Sequence, residues 1–226
     1  MKLAVLFSGG KDSILALYKA KMENEIVCLI SIFSENKESY MFHTPNISLV
    51  KKQSKALGLP ILIQKTKGEK EKELADLEKA IQTAVKKYKI EGVVTGAVAS
   101  NYQYSRIKNI SEKLNLKCIN PLWQKDQIDV LKDLLKNNFK AIIVGVFAYP
   151  FGKEWLGREI DEKAIKELAE LQKKFRINPA GEGGEIETFV LDMPMFKKKL
   201  KVINSQIKYE NYTGVFEIKK MKLEKK

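Results

Sequence analysis

Cysteine, histidine and arginine are all scarce in this chain of 226 residues. It has two cysteines and one histidine, and among its 41 basic side chains only Arg106, Arg158 and Arg176 are arginine. Cys28 and Cys118 each lie within an apolar run, so they read as small buried hydrophobes and exclude a disulfide framework or a cysteine zinc site. His43 stands without a second histidine, which excludes a histidine-based metal site; in its polar loop it reads equally as a surface residue or a site residue. No apolar run reaches membrane-spanning length. The N-terminus leads straight into a strand with no signal peptide, and the expected compartment is cytoplasmic. Internal repeats and low-complexity linkers are lacking, and neither G-x-x-x-x-G-K-[ST] nor G-x-G-x-x-G is present. The rarity of arginine gives its three positions weight, because a guanidinium offers phosphate or carboxylate a rigid fork that ammonium cannot copy.

What is present suits a soluble globular protein: 44% hydrophobic and 31% charged residues, in a chain long enough for a full core or two small domains. The net charge is +13. From Lys197 to Lys226 ten lysines face Glu210, Glu217 and Glu224. This reads as a solvated lysine-rich surface, with an acidic or nucleic-acid partner as the other interpretation.

Strands and helices alternate through the first half. Leu3–Phe7 and Ile26–Phe33 read as buried strands, 45–57 as a helix with Pro45 in its first turn, and 60–64 as a strand. A helix is expected over 71–88, with Leu74, Leu77, Ile81, Ala84, Val85 and Tyr88 on one face. A strand over 92–96, a helix over 102–114 and a short strand over 117–120 follow. This alternation, with near-continuous apolar strands, argues for a parallel sheet covered on both faces. Pro121 marks a boundary. Beyond it come a helix over 128–135, a strand over 141–146, a helix over 161–175 with Asp161 as N-cap, and strands over 188–191, 201–209 and 215–219. The Lys222–Lys226 tail reads as frayed. The expected class is α/β, with domains over 1–121 and 122–226, the second smaller and mixed α+β.

Three stretches carry chemistry. Ser8-Gly9-Gly10-Lys11-Asp12-Ser13 sits between the first strand and the first helix. Adjacent glycines bring backbone N–H groups close to a ligand, and a helix N-terminus suits an anion. Lys11 adds a charge, Ser8 and Ser13 add hydroxyls, and Asp12 implies a metal ion between itself and phosphates. The plain alternative is a turn capped by Ser8 or Asp12. In the second stretch, Gly96 ends a strand and allows close backbone approach, Ser100 caps the next helix, and Tyr102, Gln103 and Arg106 follow. The third runs Asn178-Pro179-Ala180-Gly181-Glu182-Gly183-Gly184-Glu185-Ile186-Glu187-Thr188. Acids this close repel unless they meet cations. It is either a flexible acidic turn or a site for Mg2+, ammonium or a quaternary ammonium group, with Tyr149, Phe151 and Trp155 upstream as aromatic faces and Arg158 and Arg176 flanking.

The first loop resembles the pyrophosphate loop of the PP-loop ATP pyrophosphatases, which are adenine nucleotide alpha hydrolase-like proteins. Together with Gly96-Ala97-Val98, Tyr102-Gln103, Arg106, Pro121-Leu122-Trp123, Gly157-Arg158, Asp161 and the acidic loop through Phe189-Val190-Leu191-Asp192, it is similar to the diphthine–ammonia ligase family. Ile186 departs from the tyrosine common in relatives. The resemblance implies amidation of diphthine on translation elongation factor 2 by free ammonia, through an acyl-adenylate, with release of AMP and pyrophosphate. It implies ATP and Mg2+, the latter at Asp12. Ser8, Gly9, Gly10, Lys11, Asp12, Ser13, Gly96 and Arg106 would bind nucleotide. Tyr102, Gln103, Arg158, Arg176, Gly183 and Gly184 would bind substrate. Lys11, Asp12, Glu182, Glu185 and Glu187 would be catalytic, the glutamates either holding the trimethylammonium group or deprotonating ammonium. The rivals are a tRNA-modifying enzyme on the same fold, disfavoured by the lack of paired cysteines, and a non-catalytic nucleotide sensor. No nucleic-acid or membrane partner is expected, and a homo-oligomer stays open.

Overall fold

The computed structural model describes residues 1–36, 45–69 and 72–226. His43, with Met41, Phe42 and Thr44, lies outside the described residues, as does Glu71. Five parallel strands form the first sheet: β1 (Lys2–Leu6), β2 (Glu25–Ser34), β3 (Ile61–Thr66), β4 (Gly92–Val94) and β5 (Lys117–Ile119), in the order β3-β2-β1-β4-β5. The helices between them are α1 (Lys11–Lys21), α2 (Val50–Leu57), α3 (Lys72–Tyr88) and α4 (Asn101–Lys113). Side chains alternate across a strand. Leu3, Val5 and Phe7 therefore enter one core and Ala4 the other. The second core holds Leu77, Ile81 and Ala84 of α3 with Ile107 and Ile110 of α4. Cys28 lies there too, and burial pushes its thiol up to about 12; the Cys118 thiol is raised to about 11 for the same reason.

Past β5 come α5 (Gln127–Lys136), β6 (Lys140–Val146), α6 (Glu162–Phe175), β7 (Ile186–Asp192), β8 (Lys199–Glu210) and β9 (Thr213–Glu224). The four strands form an antiparallel sheet ordered β7-β6-β9-β8. As expected, Asp161 caps α6, accepting from the Ala164 N–H at 2.7 Å. The first core continues from β1 and α1 through Val130, Leu131, Ile143, Leu168 and Phe189. Both sheets thus close on one apolar interior, and β7 lies against α1.

Two local expectations are corrected. The helix expected from Pro45 starts later: a 3-10 turn over Ile47–Leu49 precedes α2. Asn46 adopts a left-handed conformation at φ 64°, and its side chain bridges the Phe216 carbonyl (2.9 Å) and the Ile218 N–H (2.8 Å) of β9. That side-chain pairing with a strand outcompetes an earlier helical start. The C-terminal tail is held rather than frayed. β9 pairs with β8 as far as Glu224, and the Lys226 ammonium binds Asp192 at 2.8 Å and the Met193 carbonyl at 2.6 Å.

Candidate functional site

The strand order reverses between β1 and β4, and a crevice at the carboxyl ends of strands at such a point is where open α/β sheets bind ligands. A cleft of about 510 Å³ opens there. Its apolar side is made by Leu6, Ile30, Ile32, Leu77 and Ile107, and its polar side by the two glycine-rich loops.

The first loop is fixed through its backbone. Gly9 has φ +81°, and a Cβ there would strike Gln53. Its carbonyl accepts from the Gln53 Nε2 at 2.9 Å and from the Val190 N–H at 3.1 Å. Gln53 Nε2 also donates to the Val190 carbonyl at 2.9 Å, so this fully buried side chain ties the loop to β7. The Lys11 N–H donates to Thr188 Oγ1 at 3.0 Å. Ser8 Oγ lies 3.2 Å from Ser13 Oγ and 3.3 Å from the Gly10 N–H. Lys11 is only 2% exposed; its Nζ donates to Asp12 Oδ2 at 2.7 Å and to the Ala180 carbonyl of the acidic loop. Asp12 Oδ1 is buried and has no hydrogen-bond partner.

The three glutamates of the acidic loop face three different environments. Glu182 Oε1 accepts from the N–H groups of Val98 (3.1 Å), Ala99 (2.7 Å) and Ser100 (2.8 Å), an anion seated at the start of α4 where the helix dipole favours it. Glu185 points back into its own loop: its Oε1 accepts from the Asn178 N–H at 2.9 Å and Nδ2 at 2.7 Å. Gln127 of α5 supports this clamp through Asn178 Oδ1 (2.9 Å) and the Ala180 N–H (3.1 Å). Glu187 lines the cleft. Burial pushes its carboxyl up to about 7; the Lys11 charge works against that rise and the Asp12 charge adds to it.

Ser8, Gly10, Lys11, Asp12, Ser13, Gly96, Gln103, Glu182, Gly183, Gly184 and Glu187 all line the cleft. Gly9 lies behind it as an anchor. The close approach Gly96 permits is to the α1 backbone, since a Cβ there would sit 2.7 Å from the Asp12 carbonyl carbon. Glu185, Tyr102, Arg106, Arg158 and Arg176 are not among the lining residues. Arg106 stacks on the Tyr102 ring at 3.5 Å. Arg158 makes a two-pronged ion pair with Glu167 at 2.6 and 2.9 Å and lies 4.4 Å from the Trp155 ring centre. Arg176 ends α6 in an exposed position. Phe151 and Trp155 are buried in the core, so of the three upstream aromatics only Tyr149 offers an exposed face. Sequence reasoning missed Gln53 and Thr188. Gln53 shares a helical face with Val50, Ala56 and Leu57, and a polar residue on an apolar stripe is a legible sign of a buried partner.

Fold and cleft together define an α/β protein whose parallel sheet carries a glycine–serine loop at its switch point, faced across the cleft by an acidic glycine-rich loop. The chain belongs to the diphthamide synthase family: the N-terminal domain of that family matches residues 1–118 and the C-terminal domain residues 126–223. It is 34% identical over 226 residues to the diphthine–ammonia ligase of Mus musculus, covering 91% of this chain and 84% of that one. Against the Homo sapiens diphthine–ammonia ligase it is 32% identical over 227 residues, covering 92% and 85%. A solved chain titled as a predicted subunit of a tRNA methyltransferase from Methanocaldococcus jannaschii is similar at TM-score 0.44 and 19% identity, covering 86% of this chain and 98% of that chain, too loose a likeness to bear on function.

Proposed function

We propose that this chain is a cytoplasmic diphthine–ammonia ligase that uses ATP and ammonia to convert the diphthine carboxylate of translation elongation factor 2 to an amide. One observation carries the reading: Lys11 Nζ joins the pyrophosphate loop to the Ala180 carbonyl of the acidic loop inside a single cleft. ATP, ammonia and the protein-bound diphthine are the substrates. The diphthine carboxylate oxygen bonds to the α-phosphorus as the bond to the β-phosphate breaks and pyrophosphate leaves. The ammonia nitrogen then bonds to the acyl carbon, AMP leaves, and the nitrogen gives up a proton.

Each residue has a part in this scheme. The N–H groups of Asp12 and Ser13 in the first turn of α1, joined by the Ser8 and Ser13 hydroxyls once these turn away from their contacts within the loop, receive the leaving pyrophosphate. Lys11 has three N–H donors, two of them engaged within the protein, and the third remains for a phosphate oxygen. Glu182 already serves the start of α4 and Glu185 clamps its loop. Glu187 is therefore the acid free to accept the proton from the attacking nitrogen, its carboxyl held near neutral, where a general base works best. Raised thiols at Cys28 and Cys118 agree with ammonia rather than glutamine as nitrogen source, since glutamine use needs an activated nucleophile.

The residues present also fit Mg2+. Among the described residues no three acidic, histidine or cysteine side chains cluster as a metal site. Mg2+ in nucleotide sites uses one or two carboxylates plus phosphate oxygens. Asp12, with its buried unpartnered Oδ1, would supply such a carboxylate, which leaves Glu187 for the proton. The ion would neutralise charge on the phosphates.

Incubation with diphthine-bearing elongation factor, ATP and ammonium, followed by mass analysis of the modified histidine and AMP assay, tests the proposal. Amide formation with one AMP per amide is expected. AMP release driven by tRNA instead, or nucleotide binding without release, would transfer the chain to a tRNA-modifying or a sensor role.

A further inference from the structure

Next to the acidic loop three aromatic rings meet at the surface, two of them exposed and the third, Phe175, half-buried against the core. Tyr149 is 57% exposed and Tyr212 is 44% exposed. Tyr149 meets the Tyr212 ring edge-on at 4.9 Å and the Phe175 ring edge-on at 5.2 Å. The three come from separate segments: the loop after β6, the β8–β9 turn and the end of α6.

Tyr212 and the neighbouring Arg176 hold their places against local preference. The β8–β9 turn is Asn211-Tyr212, with φ 45° and 61°. A two-residue hairpin with both central residues left-handed strongly favours glycine at the second position, and a bulky side chain there is an outlier. Arg176, which ends α6, also has a left-handed φ of 57° where glycine or asparagine is usual. Its exposed guanidinium has no hydrogen-bond or ion-pair partner among the described residues. Backbone outliers of this kind point from structure to function. Tyr and Arg are also the residue types that dominate binding hot spots.

The cluster adjoins the cleft by connectivity. Phe147 lines the cleft, and its N–H donates to the Glu185 carbonyl at 2.9 Å. Tyr149 follows two residues later, and Arg176 precedes Asn178 of the Glu185 clamp by two. Two residues span at most about 7 Å, so the aromatic rim and the acidic loop are neighbours.

We propose that Tyr149, Phe175, Tyr212 and Arg176 form the docking rim for the protein substrate, gripping an acidic segment next to the modified histidine while that side chain enters the cleft. Charge selects this occupant. Lys173, Lys174 and Arg176 crowd the end of α6 on a chain of net charge +13, which attracts an acidic partner and repels a second copy. The inference rests on the proposed ligase activity.

The test uses Tyr212→Gly, Arg176→Gly and Tyr149→Ser in the full chain, with diphthine-bearing elongation factor, ATP and ammonium. Glycine relieves the turn, so Tyr212→Gly is expected to melt no lower than the parent while KM for the protein substrate rises roughly tenfold, the loss of one hot-spot contact. KM for ATP stays unchanged, and added salt raises the parent's KM for the protein substrate more than that of Arg176→Gly. An unchanged protein-substrate KM in all three variants overturns the rim and leaves the activity standing. A rise in KM for ATP as well assigns the residues to general stability and overturns it. A dimer of the parent that dissociates in Tyr149→Ser assigns the surface to a second copy. A parent that forms no amide overturns the activity and the rim together.

Discussion

The two glycine-rich loops that meet in the cleft are held in opposite ways. The loop over Ser8–Ser13 is gripped from outside: Gln53, Thr188 and Val190 bind its backbone, which leaves the side chains of Lys11 and Asp12 to face the cleft. The acidic loop holds itself with its own carboxylates, Glu185 on Asn178 and Glu182 on the start of α4. A loop fixed by its neighbours keeps its functional groups for chemistry. A loop fixed by its own acids keeps less: Glu185 has only its buried Oε2 unpartnered and lies off the cleft, and Glu187 is the glutamate that lines the cleft without holding the loop.

Four substitutions sharpen this contrast. Lys11→Ala removes the charge shared by both loops and is expected to cut AMP formation by about a thousandfold, in line with losing a charge-stabilising donor; circular dichroism should show the fold retained, and near-normal turnover would dismiss the pyrophosphate-loop assignment. Glu187→Gln is expected to slow amide formation by about a hundredfold while stabilising the ligand-free protein at alkaline pH. The sign follows from a carboxyl raised from 4.5 to about 7: the folded state keeps the proton between these values and bears the cost of a buried charge above them. The stability lost on raising the pH through this window returns in the glutamine variant. Because Glu187 keeps some exposed surface and water moderates the effect, the gain at pH 8 is about 1–2 kcal/mol, or roughly 2–8 °C in melting temperature. Near pH 4 the two proteins should melt together.

Glu185→Gln weakens the Asn178 clamp. It should lower stability by about 1–2 kcal/mol and change the rate only a few fold, so a rate collapse in a well-folded variant would return Glu185 to the chemistry. The smallest effect belongs to Arg158→Ala. Its ion pair with Glu167 is half-buried and still reached by water, so the loss should be about 1 kcal/mol with turnover unchanged. The Glu167 carboxyl is lowered by its hydrogen bond from Arg158. The stability it adds is therefore present above the ordinary carboxylate range and fades on acidification, and thermal melts of parent and variant should converge in acid.

The parallel sheet was legible because β1, β2 and β4 carry near-continuous apolar runs and the helices between them carry apolar stripes. The first loop was legible because adjacent glycines before a helix leave few other readings. The division of labour among Glu182, Glu185 and Glu187 was not, because three identical side chains within six residues differ only in what the rest of the chain brings to them: the N–H groups of 98–100, the Asn178 side chain, and Lys11. Arg158 misled for a related reason. Rarity marked it as special, yet its partner Glu167 lies nine residues on along α6, one of three carboxylates on that helix. Gln53 escaped notice because its partners, Gly9 and Val190, are far away in sequence.

The division of labour among the glutamates is measured most directly by setting Glu187→Gln beside Glu185→Gln in one assay of amide formation on diphthine-bearing elongation factor, with ATP and ammonium saturating. Glu187→Gln is expected to be slower than Glu185→Gln by at least about tenfold, with both variants folded and binding ATP. Equal rates, or a slower Glu185→Gln, would contradict that division.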